Sequence, residues 1–334
     1  MNNPLISVLM ITYNHESFIA KAIESVLMQE TNYSFELIIG EDCSTDNTHK
    51  IVLDYAQRYP DCIKVVTSEK NVGFVKNAYR TFLECRGKYI AFCEGDDYWN
   101  NSTKLQKQID YLEKHSECGL ICSDYDIYYT DTGKRIERVN HNSKRDPITL
   151  RNILYTLRGT SGIQTCTVVV RSDIYKKVLD SDPVFFQDPL QPCMDRPLWI
   201  GILMKSELAY IDESLATYNR LVHSATSRKN PSELLNISIR MKEQILYLID
   251  KYNLSSEEKN THVNDLWKRK LKLSFYESNI EMADECKDNL KKMSFIEYIL
   301  YFGARYRLLN FLFSHFLNHF FRVIPPSNYN KVLD

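Results

Sequence analysis

The chain has 334 residues, 42 of them Lys or Arg and 43 Asp or Glu, with a formal net charge of -1. That balance supplies no basic field to recruit nucleic acid, so an anionic ligand has to be held by a local arrangement of groups. The length admits one large domain or two of ordinary size, each able to bury a core.

Cysteine usage bounds the redox setting. The nine cysteines are odd in number and show neither disulfide-framework nor zinc-ligand spacing. Cys43, Cys85, Cys93 and Cys166 lie in or beside apolar runs and read as reduced core thiols of a cytoplasmic protein. Cys118 and Cys122 have no second pair to complete a metal clip. The opening Met-Asn-Asn-Pro enters the first strand at once and has no signal-peptide pattern.

In chain order, residues 5–11 form a mostly apolar strand that ends in Thr12-Tyr13-Asn14-His15. Apolar residues from Phe18 to Leu27 then recur at three- and four-residue intervals and predict an amphipathic helix. A second strand, 35–39, leads into Gly40-Glu41-Asp42, and Ser44-Thr45-Asp46-Asn47 supplies N-cap chemistry for the next helix. A third strand at 63–66 is followed by Asn71-Val72-Gly73 and a helix ending near Gly87. The stretch 88–99 reads as a buried strand delivering Glu94, Asp96 and Asp97 together at its end. A helix over 102–115 follows, then an apolar run, 119–122, into Ser123-Asp124-Tyr125-Asp126.

Alternating strands and helices imply a mostly parallel sheet covered on both faces, with ligands bound beyond the carboxyl ends of the strands. Those ends carry Thr12 and Asn14, Glu41 and Asp42, Glu94, Asp96 and Asp97, and Asp124 and Asp126. Capping explains one such cluster. Four polar strand ends, three of them acidic, instead predict a rim that admits a diphosphate only with a cation, and carboxylate oxygens suit Mg²⁺ or Mn²⁺. Neither a Gly-x-Gly-x-x-Gly turn nor a Gly-x-x-x-x-Gly-Lys-Ser/Thr loop follows the first strand, so dinucleotide and NTPase folds lack their phosphate cradles here.

Four strings in order, Ser-Val-Leu-Met-Ile-Thr-Tyr-Asn at 7–14, Glu-Asp-Cys-Ser-Thr-Asp-Asn-Thr at 41–48, Asn-Val-Gly at 71–73 and Glu-Gly-Asp-Asp-Tyr-Trp at 94–99, make the first half resemble the GT-A glycosyltransferases of family 2. The resemblance implies a GT-A fold, an α/β architecture in which a mostly parallel nucleotide-binding sheet is flanked by helices. It also implies a UDP-sugar donor, with Asp42 reading the uracil. Thr12, Tyr13, Asn14, Glu16, Asn71, Gly73 and Glu94 would line the nucleotide sugar. Asp96 would ligate Mn²⁺ or Mg²⁺, supported by Asp97. Glu94 departs from the family's Asp-x-Asp pattern by one methylene, which leaves its partner open between ribose and a water-bridged metal. Asp46 also reads as a helix cap, and Asn14 as a cap of the first helix.

Residues 131–161 turn polar and basic, with Lys134, Arg135, Arg138, Lys144 and Arg145 predicting an exposed excursion followed by a short helix at 150–157. A β-rich segment, 164–170, and a helix over 173–179 come next. In Met194-Asp195-Arg-Pro-Leu-Trp199, Asp195 matches the second, basic position of the family's acidic pair, and Met194 replaces the first. Inversion at an anomeric carbon requires a carboxylate to take the acceptor hydroxyl's proton, so Asp195 is the candidate base, with a helix N-cap as its ordinary alternative. Tyr218-Asn-Arg220-Leu-Val-His223, followed by Ser224, Ser227 and Arg228, resembles the family's closing segment, although Arg220 stands one place further from the His than the pattern has it. His223 would complete the metal shell.

The resemblance assigns 1–228 to the glycosyltransferase domain, split into a nucleotide-sugar half, 1–130, and an acceptor half, 131–228. Residues 229–334 read as a helical appendage for packing, acceptor contact or homodimerisation. Within its aromatic, Arg-punctuated tail, 295–324, the uncharged stretch is shorter than the roughly 20 residues of a membrane span. It fits either an anionic membrane interface or a helix packed on protein. The expected activity is inverting, metal-dependent transfer of a hexose or N-acetylhexosamine from a UDP-sugar to a saccharide or lipid-linked saccharide acceptor, at the inner face of the cytoplasmic membrane. The alternative is a non-catalytic sugar-nucleotide-binding partner in polysaccharide assembly.

Overall fold

The computed structural model describes residues 4–142, 163–221, 231–254, 256–290, 292–306 and 309–310. Four parallel strands, β1 (Ile6–Thr12), β2 (Phe35–Glu41), β3 (Ile63–Val66) and β4 (Tyr89–Phe92), form half of the sheet in the order β3-β2-β1-β4. Their side chains are apolar on both faces because both are covered, and Ile6, Val8, Met10, Leu37, Ile39, Tyr89 and Ala91 are all inaccessible to solvent. Helices α1 (Ile19–Leu27), α2 (Thr48–Arg58), α3 (Phe74–Leu83) and α4 (Lys104–Lys114) connect these strands or follow them. Ile19, Ala22, Ile23 and Val26 of α1 turn into the same core, as their spacing predicts.

Beyond β4 the sheet becomes mixed. β5 (Tyr98–Trp99), β6 (Cys118–Tyr129), β8 (Val169–Arg171) and β9 (Glu207–Arg220) complete the order β4-β8-β6-β9-β5, and β7 (Arg135–Ile136) pairs with β6. β8 runs antiparallel to both β4 and β6, whereas β6 and β9 are parallel. The antiparallel pairing of β5 with β9, Tyr98 opposite Thr217 and Trp99 opposite Ala216, ties the acidic 94–97 loop to a strand more than a hundred residues later. This architecture is the GT-A fold.

One expectation is corrected here. Asp124 and Asp126 lie inside β6, not at its end, and both carboxylates hold the chain's own backbone. Asp124 Oδ1 accepts from the N–H groups of Tyr125 and Asn140, each at 2.8 Å, and Oδ2 from that of His141. Asp126 accepts from the Arg138 N–H and the Ser214 hydroxyl and is ion-paired with Arg135. Arg138 in turn pairs with Asp212 at 2.9 Å. Residues 135–142 are a strand and the short helix α5 (Val139–Asn142) pinned over β6, with most of their side chains on the surface as expected and Val139 buried. The helix expected at 150–157 lies outside the described residues.

After β8 come α6 (Ser172–Asp180), α7 (Pro183–Phe186) and α8 (Asp195–Leu203). The chain divides into two compact units after Leu221. The second contains α9 (Pro231–Lys251), α10 (Ser256–Glu277), α11 (Ile280–Asn289) and α12 (Phe295–Arg305). Its core joins Leu271, Phe275, Ala283, Cys286, Ile299, Leu300 and Ala304. A capping box between Ser294 and Glu297 starts α12. The first part of the aromatic tail is thus packed on protein along one side, while Phe295, Tyr298 and Phe302 remain exposed on the other. No helix among the described residues is long and apolar enough to cross a membrane.

Candidate functional site

The tips of β1 and β2 are clasped together by the residues expected along the nucleotide. Asn14, at a positive φ of 55°, accepts the Thr45 N–H on its Oδ1 at 2.8 Å and donates its own N–H to Ser44 Oγ. Glu16 Oε2 accepts both the N–H and the side-chain amide of Asn47, and the Glu16 N–H donates to Asp46 Oδ2. Asp46 also accepts the Thr48 N–H, from one residue before Asn47, the N-cap of α2. Asn14 does not cap α1, whose N-cap is Phe18. Tyr13 stands half-exposed at the tip. Behind the clasp, the buried Glu41 holds His49 Nδ1 at 2.7 Å and accepts the Ser44 N–H, a support not anticipated from the sequence.

Asp42 is buried at the end of β2 and grips the next loop. Its two oxygens accept the N–H groups of Val72 and Gly73, each at 2.9 Å, and Arg80 Nη2 lies 3.6 Å away. Asn71 Oδ1 accepts the Gly73 N–H, and Gly73 sits at φ 84°, where a side chain would be strained. Asp42, Asn71 and Gly73 thus form one turn. A base docking against Asp42 would use the remaining lone pairs of a carboxylate whose position is already fixed.

The acidic loop after β4 separates its three carboxylates. Glu94 is set into the rim, with Oε2 out of solvent and without a hydrogen-bond partner. Burial first, then the charges of Asp96 and Asp195, push its carboxyl up to about 8. Asp96 is partly exposed, and its Oδ2 lies 3.9 Å from His15 Nε2. Asp97 points inward. It accepts the Asn219 N–H at 2.9 Å, and burial together with Asp96 and Glu94 raises its carboxyl well above the usual range. The Asn219 side-chain amide donates to the Asp96 carbonyl at 2.5 Å, so β9 holds this loop at two points. Asp97, expected to support the metal, is turned inward here and holds β9 through the Asn219 N–H.

Asp195 opens α8 at its first helical position. Met194 takes the N-cap, which leaves the carboxylate at the positive end of the helix dipole. Sequence separation hides its relation to Glu94, yet the two act on one another electrostatically across the rim. The charges of Asp96 and Asp195 both reach Glu94; Asp42, Asn71 and Gly73 form a separate group, tied to β1 through the Asp42 N–H, which donates to the Thr12 carbonyl. Arg220 lies over the Tyr129 ring, 5.5 Å from its centroid. His223 and Arg228 lie outside the described residues.

A divalent ion fits this rim on the chemistry of its donors. Glu94 presents an unpartnered oxygen whose ionised form is disfavoured by two nearby carboxylates, and a cation would relieve that repulsion. Among the described residues no three His, Cys, Asp or Glu side chains converge as a complete ligand set. An ion here would take one or two protein groups, Asp96 foremost, and fill its shell from ligand phosphates and water, the usual arrangement for Mg²⁺.

The comparisons with known proteins agree with this architecture. The family described as Glycosyl transferase family 2 matches residues 7–179. An uncharacterized protein of Mycobacterium tuberculosis is 32% identical over 220 residues, which span 65% of this chain and 59% of that relative's length. The Escherichia coli protein WfgD, named as a UDP-Glc:alpha-D-GlcNAc-diphosphoundecaprenol beta-1,3-glucosyltransferase, is 28% identical over 237 residues, covering 70% of this chain and 84% of its own. Among solved structures, that of S. aureus TarS 1-349 in complex with UDP-GlcNAc superposes with a TM-score of 0.60 at 18% identity, covering 93% of this chain and 91% of that one. That likeness supports the fold, and the family match over more than half of the chain carries the assignment: this chain belongs to glycosyl transferase family 2.

Proposed function

We propose that the chain is an inverting, divalent-metal-dependent glycosyltransferase that moves a hexose or N-acetylhexosamine from a UDP-sugar to a saccharide acceptor during surface-polysaccharide assembly. The observation that supports the reading is the buried Glu94 carboxyl, one oxygen of which has no hydrogen-bond partner and which feels the charges of both Asp96 and Asp195. Lipid-diphosphate attachment of the acceptor is supported by the name of the E. coli relative, and a UDP-sugar donor by the names of WfgD and of the TarS complex.

In this mechanism Asp42 fixes the turn against which the base docks, while Thr12, Tyr13, Asn14 and Glu16 shape the nucleotide's edge. Asp96 holds the cation, with Glu94 adding charge beside it and His223 as the family pattern's further ligand. A bound Mn²⁺ or Mg²⁺ supplies the positive charge that stabilises the departing diphosphate. Asp195 accepts the acceptor hydroxyl's proton as its oxygen attacks the anomeric carbon from the face opposite the diphosphate. The exposed face of α12, Phe295, Tyr298 and Phe302, is the proposed peripheral membrane contact.

The test is transfer or slow hydrolysis of a UDP-sugar by purified protein with Mn²⁺. Asp195→Asn should lower turnover by about 100- to 10,000-fold, the usual contribution of a general base, with its melting temperature unchanged. Near-normal turnover in that variant rejects the assignment of Asp195. Metal-dependent UDP-sugar binding with no turnover across many acceptors favours the non-catalytic partner.

A further inference from the structure

We propose that His15 is a nitrogen ligand of the divalent ion that Asp96 holds, supplied by the loop after β1. The inference rests on the reading of Asp96 as a metal ligand and adds a residue to it.

His15 is fixed at both its backbone and its ring. Its N–H donates to Thr48 Oγ1 at 2.7 Å, and its carbonyl accepts from Phe18 and Ile19 at the start of α1. The ring Nδ1 lies 3.2 Å from Thr12 Oγ1. That hydroxyl is itself held in place, because Thr12 is buried and Gly95 lies against it. A Cβ on Gly95 would come within 2.6 Å of Thr12 Oγ1, so only glycine lets the acidic loop close over the threonine. In the tautomer in which Nδ1–H donates to Thr12 Oγ1, Nε2, which lies 3.9 Å from Asp96 Oδ2, carries the lone pair that would bind an ion. This is the arrangement by which an outer partner commonly fixes the tautomer of a metal-bound histidine.

The gap between the two side chains fits an ion. At 3.9 Å, His15 Nε2 and Asp96 Oδ2 are too far apart for a hydrogen bond. Two ligands bound at about 2.0–2.2 Å to one ion lie about 3–4 Å from each other, depending on the angle at the metal. Both side chains are about one-fifth to one-quarter exposed, so a ligand reaches the space between them. An imidazole in the shell also selects among ions, since first-row transition ions, with Mn²⁺ the weakest of the series, take nitrogen more readily than Mg²⁺ does.

The experiment is titration of full-length protein with Mn²⁺ and with Mg²⁺ in the presence of UDP, read by calorimetry and by the Mn²⁺ electron paramagnetic resonance signal. The variants are His15→Gln, His15→Ala and Thr12→Val, each checked by its melting temperature. Both His15 variants should weaken Mn²⁺ binding by at least tenfold and Mg²⁺ binding less, which narrows the preference between the ions. Thr12→Val should lose about 10- to 100-fold, the effect typical of removing a ligand's outer partner. Unchanged Mn²⁺ affinity in folded His15→Gln overturns the proposal. An equal loss of UDP affinity with and without metal also overturns it, by making His15 a direct diphosphate contact. If the wild type itself shows no metal-dependent UDP binding, the underlying metal reading fails; if the wild type binds and only His15 proves indifferent, the inference alone fails.

Discussion

Asp96 and Asp97 are neighbours in sequence with opposite surroundings, so substitution should separate them. Asp97 is buried, its carboxyl is raised well above the usual range by burial and by Asp96 and Glu94, and it accepts the Asn219 N–H. Asn has the same shape and keeps that acceptor. Asp97→Asn should therefore retain its melting temperature and hold UDP with Mn²⁺ within a few-fold of wild type, whereas Asp96→Asn should lose metal-dependent binding. Equal loss in the two variants, measured by calorimetry, would make Asp97 a ligand after all. A second residue-scale prediction concerns Lys104, wholly buried, with Nζ donating to Gln108 Oε1 at 2.6 Å and lying 4.4 Å from the Trp99 ring centroid. Burial lowers its ammonium group to about 7, below the value of about 10.5 in an unfolded chain. Between those values the unfolded state binds a proton that the folded state lacks, so this group's contribution to stability rises with pH. Below about 7 both states are protonated and the contribution is flat, at its least favourable. Urea unfolding at pH 7 and pH 9 should show wild type gaining about 2 kcal/mol relative to Lys104→Met over that interval. A difference independent of pH would mean that the buried amine stays charged.

At the scale of elements, β9 is coupled to the acidic loop. Asn219 contributes one backbone and one side-chain hydrogen bond to this coupling, and only the second is removed by Asn219→Ala. A single hydrogen bond is worth about 0.5–1.5 kcal/mol net, so UDP affinity in Mn²⁺ should fall by roughly 2- to 10-fold, with a folded protein by circular dichroism. No change would show that the β5–β9 ladder alone positions the loop. The first four strands and their helices were legible because apolar residues recur at periods the chain imposes locally. The long pairing of β6 with β9 was not, because its partners lie about ninety residues apart and its register slips between Ser123 and Tyr125. The same limit explains Asp124 and Asp126. Their acidity beside an apolar run looked like that of Glu94 and Asp96, and only the return of residues 135–142 shows that those carboxylates are consumed by the fold. The motif strings pointed to Asp42, Glu94, Asp96 and Asp195, but the contacts of His15 and Asn219 depend on which loops meet in space.

For the whole molecule, the remaining question is what faces the exposed side of α12. Cutting the chain before this helix is a poor test, because Ile299, Leu300 and Ala304 would leave the core they share with Leu271 and Phe275. Substitution of the outward side chains avoids that damage. Phe295, Tyr298 and Phe302 are all exposed, and the last two stack on one another at 6.5 Å between centroids, so replacing the three with Ser removes aromatic surface without opening a cavity. Aromatic side chains bind an interface by burying apolar area, while nearby cations add attraction to anionic lipid that salt weakens. Full-length protein should therefore float with anionic vesicles at low salt, float less at high salt, and stay below zwitterionic vesicles. The triple variant should remain in the soluble fraction with an unchanged melting temperature. Failure of the wild type to bind anionic vesicles rejects the membrane contact, and equal flotation of the triple variant moves it away from this face of α12.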